Sequence, residues 1–448
     1  MPDRSLPMTR RRVVAGLGML LLPGPPASAA ESTGAGKSLM LHAAGHARRL
    51  EAGSRQIAAP GLATEGGEGV PVFNAGDRVE VHFRNGLTKP AVLTFRGLDG
   101  NAAAEPLTGR APVAPGDTDT FTVRLDRPGT VICEAGLLDD GTGARAGCPL
   151  IVREQTPPRV DRDEVVLIED WRPSADGNVA SGEPGADDAE PLYTLNGRAR
   201  PTLAARPNER IRFRFINGCQ RNAIALEIPN HDIRIMAIDS CPAEPFLARG
   251  GRIVLAPGTR IDAFVDGDAA AGTSSSIMLD DGRGPRRIGL FAVAGEPVRR
   301  QPPGPPEALK PIGLPDAIDL RTAVRVDMDL TFAAPAPDRP GPRFTWTRPG
   351  EFSRDQAPAF RVPRNRATVI TLANRGSVPV TFALHGHHVR LLDRLDDGWK
   401  PFWLDTLMVG PRQTHRIAFL AEHSGSWLME AIGADRPTGR RVSSYHVT

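Results

Sequence analysis

Along most of the chain, hydrophobic and polar side chains alternate over five to eight residues, stop at Gly, Asn, Asp or Pro, and resume about ten residues later. Asp77-Arg78-Val79-Glu80-Val81-His82-Phe83, Thr120-Phe121-Thr122-Val123-Arg124-Leu125 and Arg210-Ile211-Arg212-Phe213-Arg214-Phe215-Ile216 are examples. Successive side chains of an extended strand point to opposite faces, so this period predicts half-buried strands with one face in a core and one in water. Many short strands at such spacing predict an all-β chain of sandwiches or barrels. With 47 Gly and 43 Pro and only 5% aromatic residues, the composition favours strands joined by turns over long helices.

Boundaries follow breaks in the pattern. A chain of 448 residues exceeds a single module, since domains average about 100–200 residues. Gln155-Thr156-Pro157-Pro158 separates a first block from Glu164-Val165-Val166-Leu167-Ile168, and Arg299-Arg300-Gln301-Pro302-Pro303-Gly304-Pro305-Pro306 reads as a stiff linker. The predicted divisions are residues 31–155, 160–298 and 313–448, with a Pro-rich linker at 299–312.

Residues 1–29 read as an export signal. Twin arginines in Thr9-Arg10-Arg11-Arg12-Val13-Val14 precede an apolar stretch through Leu22, and Ala27-Ser28-Ala29 supplies a cleavage pattern. The expectation is a periplasmic protein exported by the twin-arginine route. Nothing later in the sequence has the roughly 20 apolar residues of a membrane-spanning helix. The formal charge of +3 comes from this segment, where four arginines outweigh one aspartate, so the rest carries no net charge. Such a balance gives no pull toward nucleic acid or anionic lipid. Gly-x-Ser-x-Gly, phosphate-loop, dinucleotide and Cys-x-x-Cys motifs are absent, leaving hydrolase and nucleotide-dependent chemistries unsupported.

The four cysteines are spaced symmetrically about turn residues. Cys133 and Cys148 flank Asp140-Gly141, and Cys219 and Cys241 flank Pro229-Asn230-His231. If those turns close hairpins, each pair lies across neighbouring strands. In an oxidising compartment this predicts two disulfides, Cys133–Cys148 and Cys219–Cys241, with four buried free thiols as the alternative.

Several segments, in order, resemble the laccase-type multicopper oxidases. Ala75-Gly76-Asp77-Arg78-Val79 to Asn85-Gly86-Leu87, Arg127-Pro128-Gly129-Thr130 and Cys148-Pro149-Leu150-Ile151-Val152 are similar to their first domain. Leu195-Asn196-Gly197, Phe215-Ile216-Asn217 and Leu255-Ala256-Pro257-Gly258 are similar to the second. Leu384-His385-Gly386-His387, Trp403-Leu404-Asp405-Thr406 and Gly425-Ser426-Trp427 are similar to the third. The resemblance covers nearly all of the chain beyond residue 29 and implies three Greek-key cupredoxin-like sandwich domains. In the family, one copper bound by Cys, two His and usually Met accepts electrons, and a three-copper cluster held by His-x-His pairs reduces dioxygen.

Laid residue by residue on that pattern, the ligands are mostly gone. Only one His-x-His remains, at His385 and His387. The first family His-x-His falls on Thr94 and Arg96, and the second on Glu134 and Gly136. The His-Pro-x-His-Leu-His segment becomes Val380, Ala383 and His385, and the terminal His-Cys-His becomes Glu430, Ala431 and Ile432, with Arg436 where the next histidine belongs. Hydroxyl, methyl and guanidinium groups do not replace imidazole or thiolate as copper ligands. The expectation is that an Arg96–Glu134 pair and a His385–Glu430 hydrogen bond fill the vacated centre between domains one and three, while Thr94, Val380, Ala383, Ala431 and Ile432 close the remaining space.

No cofactor is expected on this reading, which is a non-catalytic periplasmic scaffold or binding protein for an unidentified protein partner, similar to the family's copper-free cell-division relative. The alternative is a copper-dependent oxidoreductase with a reduced or relocated copper set, and His385 with Glu430, and Glu134 in reach, is the candidate for one divalent ion. His387 and His388 are expected to be structural, one beneath the domain interface and one near the surface. His42 and His46 are expected at the surface of an early strand, Asp396-Asp397-Gly398-Trp399 as a turn with an aromatic plug, and Trp403 and Trp427 in the third core.

Overall fold

The computed structural model describes residues 37–52, 55–65, 69–138, 146–172, 190–332, 345–392, 403–435 and 438–448. The export segment 1–29, Arg436 and Asp396–Trp399 lie outside them. The described residues build three consecutive pairs of sheets. In the first, Arg55–Thr64, Lys37–Ala52, Asp77–Gly86 and Thr118–Leu125 lie in that order against Val72–Asn74, Ala146–Arg153, Gly129–Leu137 and Ala91–Arg96. In the second, the six strands Leu192–Leu195, Arg162–Trp171, Arg210–Asn217, Arg260–Asp266, Arg234–Ile238 and Cys241–Leu247 oppose five from Thr202–Ala205 to Arg252–Leu255. The third sets the sheet containing Val324–Asp329, Ala367–Asn374 and Gln413–Leu420 against that containing Arg440–Val447, Gly425–Gly433 and Val380–Leu384. The all-β expectation of cupredoxin-like sandwiches holds.

Each sandwich repeats the same two parallel contacts. The first strand of each lies parallel to a later one: Lys37–Ala52 to Asp77–Gly86, Arg162–Trp171 to Arg210–Asn217, and Val324–Asp329 to Ala367–Asn374. In the opposing sheets Val72–Asn74, Thr202–Ala205 and Arg361–Val362 each lie parallel to the last strand of their sandwich. Side-chain alternation carries no information on strand direction, so this threefold repeat is absent from the hydrophobic pattern.

The alternation of Asp77–Gly86 is borne out, with Val79, Val81 and Phe83 in the first core. Arg210–Asn217 departs from it, because all eight residues are buried. Ile211, Phe213 and Phe215 enter the second core, whereas Ile216 packs with Leu167 and with Ile132 of the first sandwich. Arg214 and Arg212 face the first sandwich, Arg214 Nη1 donating to Thr130 Oγ1 at 2.9 Å and Arg212 Nη1 pairing with Glu154 at 2.7 Å, whereas Arg210 meets Asp266 and Gly304. Packing of a third layer, which local periodicity cannot register, turns a solvent face into an interface.

The four cysteines are free and buried, so the two expected disulfides are corrected. Cys133 and Cys148 do stand opposite each other in antiparallel strands. Directly opposed Cβ atoms are about 4.5–5.5 Å apart, whereas a disulfide brings them to about 3.8 Å. Cys219 lies in the second core, while Cys241 opens an edge strand of the six-stranded sheet and packs with Ile318, Val369 and Trp403. The turn at 229–231 therefore does not pair the segments carrying them. Trp427 is in the third core as expected, but Trp403 belongs to this separate cluster.

Candidate functional site: the charged centre between the first and third sandwiches

Two antiparallel strand pairs carry the positions singled out from the sequence. In the first sandwich Thr94 stands opposite Glu134 and Arg96 opposite Ile132. In the third, Ala383 stands opposite Glu430 and Thr381 opposite Ile432. The Arg96 guanidinium crosses between them: Nε donates to Glu134 Oε2 at 2.8 Å and Nη2 to Glu430 Oε2. Glu430, with 0% exposure, also accepts from Arg440 Nη2. Arg440 enters the space beside Gly136, where a Cβ would stand only 2.9 Å from its Nη1. The side-chain-free position at Gly136, where the resemblance puts a histidine, is thus filled by a cation from another strand.

His385 differs from expectation. Its Nδ1 bonds to Glu105 Oε1 at 2.7 Å, whereas Nε2 lies 3.7 Å from Glu430 Oε1, an ion-pair distance with no hydrogen bond. Glu105 follows a short turn at Ala102–Ala104 that packs between the sandwiches. Sequence reasoning missed both Glu105 and Arg440, because neither occupies a ligand position and no motif marks them. The centre therefore holds three basic groups, Arg96, Arg440 and His385, against three carboxylates, Glu134, Glu430 and Glu105, all buried. Burial alone would raise the Glu430 carboxyl, but Arg440 and Arg96 hold it well below the usual range. Burial would likewise depress His385, yet Glu105 and Glu430 raise it to about 9.

That shift sets a pH dependence. A histidine whose folded value exceeds the unfolded value of about 6.5 stabilises fully below 6.5, and the contribution is lost as pH rises through about 9. The unfolding free energy obtained from urea titrations between pH 6 and 10 is expected to fall across that window, by an amount on the order of 3 kcal/mol, and a His385→Gln variant is expected to flatten the decline.

Thr94, Val380, Ala383, Ala431 and Ile432 are all buried and bring no ligand. The cavity beside Arg96, His385 and Asp405 has room for a single water. His387 and His388 are both buried, so the expectation that one lies near the surface is corrected. His387 Nδ1 bonds to Tyr445 Oη at 2.7 Å, and its Nε2 accepts the His423 backbone N–H at 3.1 Å. Tyr445 itself donates to the His385 carbonyl, so a neutral imidazole satisfies every group, and burial lowers His387 to about 3. Of the early histidines, His46 is exposed and His42 half-buried.

A second polar junction joins all three sandwiches. Arg260, with 0% exposure, donates from Nε to the Thr130 carbonyl at 3.0 Å and from Nη2 to Asp405 Oδ2 at 2.5 Å. Asp239 accepts the backbone N–H groups of Arg260, Asp405 and Thr406. His388 pairs through Nδ1 with Asp99 at 2.8 Å and lies 3.3 Å through Nε2 from the Asp239 carbonyl. Burial opposes its charge, but Asp99 and Cys241 raise it well above 6.5.

Guanidinium groups are permanently cationic and have no lone pair to give a metal. Arg96 stands at a position where the resemblance puts a ligand and Arg440 lies beside another, Gly136, and among the described residues no three His, Cys, Asp or Glu side chains converge as a metal site. The residues present do not fit the copper centres of the family.

A family model described as multicopper oxidase matches residues 161–275, and a second with the same description matches 325–431. Multicopper oxidase MmcO of Mycobacterium tuberculosis (strain ATCC 25618 / H37Rv) is 24% identical over 407 residues, covering 79% of this chain and 76% of that protein. The multi-copper oxidase structure from Pseudomonas thermotolerans superposes with a TM-score of 0.74 at 21% identity, over 92% of this chain and 100% of that one. McoA of Aquifex aeolicus gives 0.72 at 16% identity, over 92% and 96%.

Proposed function

From the premise that this chain belongs to the multicopper oxidase family, we propose that it is an exported, periplasmic member whose copper centres have been replaced by internal ion pairs. It serves as a non-catalytic scaffold or binding protein with a protein partner. The observation that carries this reading is the Arg96 guanidinium, held between Glu134 and Glu430 at positions where the family places imidazoles. A net-neutral ring of charges keeps the first and third sandwiches joined without a metal to bridge them. Unpaired charges in such a cavity would cost several kcal/mol each, so the centre is compensated rather than merely emptied.

The test is metal analysis of mature protein produced in copper-supplied cells and purified folded. The expected result is copper well below one equivalent, no intense blue absorption and a cooperative melt. Stoichiometric copper, with a thiolate-to-copper band and dioxygen consumption, would instead establish the oxidoreductase reading with a relocated copper set.

A further inference from the structure

We propose that the outer face of the second sandwich carries a binding site for a small basic zwitterion, of the class of a free basic amino acid or a short peptide bearing one basic side chain. Residues Pro302–Pro306 cross this face and enclose with it a cavity of about 300 Å³, lined also by Arg234, Asp232 and Asp268. At roughly 30 Å³ per water, that is space for about ten waters or one small organic molecule.

The roof is fastened. Arg210 forms a bidentate pair with Asp266 at 2.8 and 2.7 Å and donates from Nη2 to the Gly304 carbonyl at 2.8 Å. Arg299 ties the start of the segment to Asp161 at 2.5 Å and to the Asn208 carbonyl at 2.7 Å. Beneath it, Phe264, Arg234 and Leu247 stand directly opposite one another on three adjacent strands, so their side chains share the outer face of the sheet. Leu247 is 47% exposed, one of few large hydrophobics so placed.

The groups left uncommitted define the ligand. With Arg210 and Asp266 neutralising each other, the lining retains one cation and two carboxylates. Arg234 and Asp232 make no side-chain hydrogen bond or ion pair among the described residues. Among the described residues Asp268 meets only His231, at 3.2 Å. Four of the five roof residues are prolines, so that wall presents carbonyl acceptors and a single N–H. The complement is a molecule with one carboxylate for Arg234, two cationic donors for Asp232 and Asp268, and an aliphatic stem along Phe264 and the proline rings. The site shares no residue with the charged centre, so it stands whether or not that centre binds copper.

Calorimetric titration of the full mature protein with L-arginine and L-lysine, beside glycine and L-glutamate, tests this. Saturable binding of the two basic amino acids is expected, at least tenfold weaker for glycine and L-glutamate and at least tenfold weaker in Arg234→Gln and Asp232→Asn. Both residues have surface access, and Asp268→Asn provides a third variant should either melt early. No saturable binding of basic amino acids, equal binding of glycine or L-glutamate, or unchanged affinity in folded variants would overturn the proposal.

Discussion

Replacing Glu430 with Leu is expected to destabilise the protein by about 3–5 kcal/mol, the scale measured when one partner of a buried ion pair is removed. Glu430 takes hydrogen bonds from both Arg96 and Arg440 and faces His385, so its loss leaves two buried guanidinium groups short of a counter-charge. Glu134 and Glu105 then have to neutralise three basic groups across two sandwiches. Adding Arg96→Met to Glu430→Leu is expected to recover much of the loss, because it removes one of the stranded charges along with its partner. Urea unfolding of the four proteins of this double-mutant cycle measures the interaction directly. Additive effects would show that the two side chains do not share a centre.

Arg260→Met is expected to be as damaging, on the order of 3–5 kcal/mol, for a different reason. Arg260 belongs to the second sandwich but is bonded to the Thr130 carbonyl of the first and to Asp405 of the third. Methionine keeps only the unbranched stem of Arg260 and removes its five donors, leaving Asp405 and Asp239 as neighbouring buried carboxylates. Asp405 is held below the usual carboxylate range chiefly by Arg260 against the opposing effect of burial, so without that cation it is expected to take up a proton. The calorimetric signature is a lower and broader transition as the sandwiches lose their common pin. Adding Asp405→Leu is expected to narrow it again, and an unchanged melt for Arg260→Met would remove Arg260 from that role.

Legibility differed sharply between parts of the molecule. Arg96 with Glu134 was foreseeable, because both lie on strands paired in the same sandwich and both fall at positions where the resemblance puts ligands of one copper. Glu105 and Arg440 were not foreseeable. The first reaches His385 across 280 positions of chain, and the second occupies room whose only sequence trace is the missing side chain at Gly136. The disulfide expectation failed similarly: symmetric spacing about a turn describes a hairpin for Cys133 and Cys148 but not for Cys219 and Cys241, whose strands part into different packing environments.

By itself the sequence determined the strands and the all-β class, and the resemblance placed other residue types at nearly every copper-ligand position, because side-chain alternation and residue identity are local properties that need no partner. Only the tertiary structure decided which charges meet. Arg96 and Glu430 stand 334 positions apart, and the cost of leaving either unpaired arises only after packing has excluded water. Ion pairing in a closed interior depends on distances that the order of residues along a chain does not contain.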